Sequence, residues 1–382
     1  MKFDLIASLE RWKEAGLLDP AQADRILAFE SAEGGRAPGR LRLPAVMAIA
    51  FGVLMVGAGV LLFVAAHWED LGPAQRFTLV LAQVAAFHLA GAWFAERVPN
   101  LATGLHAAGT LALGAGIFLA GQIFNLQEHW PGGVLLWALG AWAGVALLRD
   151  WAQAALAALL TPFWLAGEWT EATRPDWWGA RRDGPEQVLA VGVFLLAVTY
   201  LTCRFRERDG LPRRALAWIG GLAFVPSVLF LLGTTDSWGR RGPEASLGTA
   251  LLAAGWTLAL GMPLALAAVT RGKAAWMNAA AAGWALLLVM MGTREWPVYA
   301  WCALGSAGLV GWGLHEARRE RVNLGVAGFA LTLVWFYFSS VMDKLGRSLG
   351  LMILGLLFLA GGWQLERVRR RLNALITRED RP

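Results

Sequence analysis

Polar and aromatic side chains gather where three apolar stretches end. His67, Trp68, Glu69 and Asp70 follow the first stretch, and Gln122, Asn125, Gln127, Glu128, His129 and Trp130 follow the third. Glu168 and Trp169 close the fifth, and Trp177 and Trp178 lie in the connection after it. Alternate stretches point the same way, so these ends share one level and can converge on a single cleft. Two imidazoles with several carboxylates have the chemistry to hold a divalent ion or to move a proton. No His-Glu-x-x-His pattern is present, which weighs against the metal. No metal, cofactor or catalytic residue is therefore assigned. His67, Trp68, Glu69, Gln122, Asn125, Gln127, Glu128, His129 and Glu168 read instead as the polar rim of a binding cleft. The plainer reading is an interfacial aromatic belt with snorkelling charges.

A second candidate is the pair His88 and His106. Each lies a similar number of residues from the connection around Pro99, so a rise of about 1.5 Å per residue puts both at one depth on a helical hairpin. Facing imidazoles can relay a proton, or can simply hydrogen-bond across two helices. Two nitrogen ligands without a carboxylate or thiolate make an incomplete metal site.

The elements that must carry these residues are membrane spans. Of 382 residues, 57% are hydrophobic and only 16% charged, and the mean hydropathy is +0.49. A crossing needs about 20 apolar residues. Stretches bounded by charge, Gly or Pro predict twelve, near 44–66, 77–95, 101–122, 132–148, 151–169, 187–203, 214–232, 248–270, 275–292, 297–314, 322–342 and 348–365. The expected fold is an all-α polytopic bundle, with connections averaging roughly seven residues, which leaves no room for a soluble catalytic domain. The run 132–148 is short and only Arg149 and Asp150 separate it from 151–169, so that pair is either two full spans or a re-entrant hairpin. Pro162, Pro226 and Pro263 are expected to bend their helices. Gly109, Gly114, Gly116 and Gly121 allow close approach of the third. The two cysteines, Cys203 and Cys302, fall in or beside apolar runs and exclude a disulfide scaffold.

Positive charge orients the bundle. With the N-terminus inside, about three quarters of the 34 Lys and Arg residues fall in inner segments, as the positive-inside rule requires. Both termini are thus expected in the cytoplasm, including the basic tail 366–382 that carries Arg367, Arg369, Arg370 and Arg371. The net charge of +6 is this topology signal and not a nucleic-acid footprint. No charged residue falls at a bilayer centre, which argues against an ion-coupled pump. Residues 1–43 read as a cytoplasmic head of two amphipathic helices and a linker. The first helix stops near Gly16, and Asp19 caps the second with Pro20 at its first position.

Several segments together resemble a bacterial family of predicted membrane proteins of unknown function, DUF2157. They are Trp12-Lys13-Glu14-Ala15-Gly16-Leu17-Leu18 with Gln22 and Arg25, then His67-Trp68, Gly121 to Gln127, and Leu135-Leu136-Trp137. At the other end Arg321-Val322-Asn323-Leu324-Gly325, Phe336-Tyr337-Phe338 and Asp343-Lys344-Leu345 are also similar. The resemblance implies a multispanning inner-membrane protein with a small cytoplasmic head, and brings no catalytic residues. Uncharged spans, bends and a polar-aromatic rim suit binding or translocation of an amphiphilic or lipid-linked molecule. The alternatives are an assembly partner of envelope proteins acting through the head, an intramembrane enzyme using Glu128, His129 or His67, and an ion-coupled transporter. Beyond the lipid bilayer, the expected partners are such a ligand or another membrane protein.

Overall fold

The computed structural model describes residues 12–34, 71–124, 129–174, 185–204, 209–235, 248–291 and 295–337, with Leu9 and scattered helical positions in 51–66 and 355–367. Among these residues the chain is helical and contains no strand. In chain order the α-helices are α1 (Pro20–Gly34), α2 (Pro73–Phe94), α3 (Pro99–Ile123), α4 (Trp130–Leu148), α5 (Trp151–Ala172) and α6 (Pro185–Thr202). They continue with α7 (Leu211–Thr235), α8 (Thr249–Arg271), α9 (Trp276–Met291), α10 (Glu295–His315) and α11 (Arg319–Phe336).

Local chemistry sets the boundaries. A turn of helix ends at Gly16, whose φ of 68° is the left-handed conformation glycine adopts without strain. α1 then begins at Pro20, with the Gln22 side chain accepting a hydrogen bond from the Asp19 N–H at 3.2 Å. α2 and α3 both start with proline at the first helical position. Pro162, Pro226 and Pro263 lie inside α5, α7 and α8.

Six stretches among the described residues are long and apolar enough to cross a membrane: Pro73–Phe94, Pro99–Ile123, Trp130–Leu148, Pro185–Thr202, Leu211–Thr234 and Thr249–Met291. The last holds both α8 and α9, which a short 3₁₀ turn separates after Gly272 at a φ of 59°. The twelve expected spans are thus supported only in part. α5 carries Gln153, Glu168 and Glu171, and α11 opens with Arg319, Glu320 and Arg321, which dilute their apolar character. The expected spans 44–66 and 348–365 and the tail 366–382 lie largely outside the described residues.

The chain divides into two compact units, one of Met1–Glu128 with Ala146–Gln153 and one of His129–Val145 with Ala154–Pro382. In the first, α2 packs along α3 through Phe87, Leu105 and Ala112. In the second, α6 is the central helix. It is apolar all round and buried over most of its length, as expected of a helix surrounded by others. Ala190, Val191, Phe194, Leu195 and Val198 of α6 meet Leu231 of α7 and Ala282, Ala285, Leu288 and Val289 of α9. α4 and α5 pack through Val134, Ala138, Ala141, Ala157 and Leu160. They are joined by Arg149, at a φ of 52°, and Asp150 alone.

The outward faces carry the opposite pattern to a water-soluble protein. Leu147, Val269, Leu222 and Trp218 are each at least 74% exposed. Water would penalise apolar faces of this extent, whereas lipid tails solvate them.

Candidate functional site

Among the described residues, four places hold polar groups or space that sequence or packing singles out. The first is the rim. His129, just before α4, and Glu168, in the last turn of α5, meet at 2.7 Å between Nε2 and Oε2. The Trp164 indole donates to the other Glu168 oxygen at 2.9 Å. One turn on, Glu171 accepts from Trp130 Nε1 at 2.6 Å and from Arg174 at 2.7 Å. His129 and Glu168 remain 54% and 38% exposed, so the pair is open to an incoming polar group. Of the other rim residues, Gln122 is exposed in the last turn of α3. His67, Trp68, Glu69, Asn125, Gln127 and Glu128, together with Trp177 and Trp178, lie outside the described residues. Trp164, Glu171 and Arg174 were not singled out from sequence. Their signal was there, as Trp and Glu at i and i+4 on α5, and Glu and Arg at i and i+3.

The second place is the histidine hairpin. His88 Nδ1 and His106 Nδ1 are 3.1 Å apart. Two nitrogens at that distance share one hydrogen, so one imidazole donates and the other accepts. Each ring also lies over a glycine of the opposite helix. A Cβ at Gly91 would stand 2.8 Å from the His106 ring, and one at Gly109 would stand 2.7 Å from the His88 ring. The arrangement is reciprocal because both helices carry the same spacing, His88-Leu89-Ala90-Gly91 and His106-Ala107-Ala108-Gly109. The polar seam extends past His106, where the Thr110 hydroxyl donates to Oε1 of the buried Gln153 at 2.9 Å. Among the described residues no three His, Cys, Asp or Glu side chains converge to hold a metal ion.

Sequence reasoning missed the third place, a buried charge cluster where α6, α8 and α10 end and α9 and α11 begin. Glu316, in the turn between α10 and α11, binds Arg271 through one carboxylate oxygen and Arg321 through the other. The two guanidiniums are fully buried and the carboxylate is 5% exposed. Trp312 Nε1 donates to Glu316 at 3.0 Å. Its ring stacks beneath both guanidiniums, whose carbons are 5.2 and 5.5 Å from the ring centre. Arg271 also donates to the Thr202 carbonyl at the end of α6, and Arg321 to the Arg204 carbonyl at 3.4 Å. Next to them Asn278 donates to Thr202 Oγ1 at 3.0 Å. Burial pushes the Glu316 carboxyl up, but the Arg321 charge and hydrogen bonds from Arg271, Arg321 and Trp312 outweigh it and hold it below the usual carboxylate range. From sequence alone both arginines count only as inner-segment positive charge. Arg271 and Arg321 instead turn inward, where helix-terminal carbonyls and one carboxylate replace water.

The fourth place is a cavity of about 680 Å³ bounded by α6, α7, α9, α10 and α11. Its walls are mainly apolar, with Phe194, Phe224, Trp284, Trp312 and Trp335 among them. Gly308 and Gly311 of α10 form part of the wall, and a Cβ at either would meet nothing within 4 Å. The space exists in part because α10 has no side chains there. Trp276, Met277 and His315 line both this cavity and a smaller one of about 290 Å³ that reaches Glu316.

Residues 10–153 match the model of the family described as predicted membrane protein (DUF2157). The match covers the head and the Gly121 to Gln127 stretch, while the similar segments from Arg321 onward lie beyond it. No curated protein and no solved structure matches the chain.

Proposed function

We propose that this membrane protein binds an amphiphilic or lipid-linked molecule, with the apolar part held in the cavity of the second unit. The observation that carries the reading is that cavity: about 680 Å³ of apolar space walled by five helices and aromatic side chains. Its volume is that of sites which enclose small ligands. Within a bilayer an apolar space of this size takes up hydrocarbon in preference to water, because it offers water few polar partners. The reading places the chain in the bacterial inner membrane with twelve spans and both termini in the cytoplasm, on the basis of the distribution of Lys and Arg. It assigns His129 and Glu168, with His67, Trp68, Glu69, Gln122, Asn125, Gln127 and Glu128, to an outer rim where a polar head arrives or leaves.

The test is to fill the cavity. Native mass spectrometry of the full chain, purified in mild detergent, should show one or two retained lipid-like adducts. Leucine at both Gly308 and Gly311 should remove them, since each new side chain projects into open space. Adducts unchanged in that variant would end the reading. A protein partner that copurifies, is lost on deleting residues 1–30, and leaves no lipid adduct behind would replace it with the assembly role.

A further inference from the structure

Two partly buried rings on the wall of the large cavity are held in fixed positions. Phe224 of α7 and Trp284 of α9 both line it. Both pack on the buried Phe194 of α6, at 6.2 and 5.4 Å between ring centres. Trp284 is tied to α10 as well: its N–H donates to the Trp301 carbonyl at 3.0 Å, and the Trp301 N–H donates to the Trp284 carbonyl at 3.0 Å. Its ring also lies against Gly305, where a Cβ would stand 2.5 Å away. With its N–H committed, Trp284 offers a ligand only its ring. Rings fixed before binding favour a flat conjugated guest, which gains offset stacking that a flexible acyl chain does not. The residue after Gly305, Ser306, lines the same cavity, and its hydroxyl makes no hydrogen bond among the described residues. It can donate one to an oxygen on such a guest. Asp, Glu, Lys and Arg are absent from the described residues of the lining, which fits an uncharged guest.

We propose that the cavity takes a prenylated quinone, an uncharged flat ring with two carbonyl oxygens and an apolar chain. The ring sits against Trp284 and Phe224 with one carbonyl accepting from Ser306, and the chain runs along Gly308 and Gly311. This rests on the amphiphile reading above and adds to it the chemical class of the head and its place in the cavity.

The experiment is a titration of the full chain in mild detergent, read by native mass spectrometry. A ubiquinone with two isoprene units and geraniol carry the same length of chain, and only the first has a ring. Dioleoylglycerol, an uncharged lipid without a ring, serves as a third arm. The wild-type chain should bind the quinone about tenfold more tightly than geraniol, through stacking and one hydrogen bond together. Ser306→Ala should weaken the quinone about fivefold and leave geraniol unchanged. Phe224→Leu should act in the same direction through the lost ring, and Ser306→Ala carries the test alone should Phe224→Leu fail to fold. Gly308→Leu with Gly311→Leu should lose both probes. Equal affinity for the quinone and geraniol, or displacement of the quinone by an equal amount of dioleoylglycerol, would overturn the ring assignment and leave the amphiphile reading standing. A quinone affinity unchanged by Ser306→Ala and by Phe224→Leu would do the same. Quinone binding that survives filling of the cavity would place it elsewhere on the chain and overturn the proposal. The adducts retained from the cell, followed in that same variant, decide the amphiphile reading separately.

Discussion

The histidine seam of the first unit and the arginine cluster of the second are both buried and polar, yet they are built differently. His88 and His106 sit within the long helices α2 and α3, where every backbone carbonyl nearby is committed to its own helix. There the chain uses neutral groups that share one hydrogen. Arg271, Glu316 and Arg321 sit where helices end. The last carbonyls of a helix have no partner within it and carry the negative end of its dipole, so they can solvate a guanidinium in place of water. Thr202 O at the end of α6 does so for Arg271. A helix interior thus admits polar groups only in neutral pairs, whereas a cluster of helix ends admits charge.

The contrast breaks most readily at Glu316. Glu316→Gln removes the one carboxylate between two buried guanidiniums, and loss of one partner from a buried pair costs about 3–5 kcal/mol. Thermal unfolding in detergent should show the largest drop of any substitution named here, with Glu316→Asp intermediate. Second in size is Gly220→Ala, because the new Cβ would lie 2.1 Å from the Leu201 backbone nitrogen and force α7 away from α6. An overpacking cost of about 1–3 kcal/mol is expected. Gly308→Ala, in open space, should leave the melting temperature unchanged or higher.

The histidines sharpen the same contrast through coupling. His88→Ala and His106→Ala each strand an imidazole, at about 1–3 kcal/mol. The double variant should cost less than the sum, and additive losses would show that the two rings do not share a hydrogen. Acid discriminates the two regions as well. The Glu316 carboxyl is held below its usual range when folded, so its contribution is full above the ordinary carboxylate value and disappears as pH falls through the depressed one. Stability should therefore fall in acid for the wild type and fall less steeply for Glu316→Gln. The smallest effect belongs to the rim. His129→Ala should change stability by no more than about 1 kcal/mol, since the pair it forms with Glu168 is exposed and screened.

What the sequence made legible follows from how far each feature reaches along the chain. Helix positions depend on local apolar runs, proline and glycine, and α2 to α11 begin and end close to where those residues place them. The depth match of His88 and His106 depends only on helical rise across one hairpin, so their proximity could be reasoned from spacing alone. The Arg271 to Glu316 pair spans 45 positions and depends on the packing of several helices. Nothing in local periodicity distinguishes Arg271 from a solvated inner-loop arginine. The cavity was hidden for a similar reason. Gly305 and Gly308 are alike in sequence, but Gly305 packs on the Trp284 ring while Gly308 faces open space.

A density map of the full chain in native lipid tests the central claim most directly. The account predicts an elongated non-protein feature between α7, α9, α10 and α11, running past Gly308 and Gly311. A cavity closed by inward movement of its helices, or filled by this chain's own side chains, would contradict it.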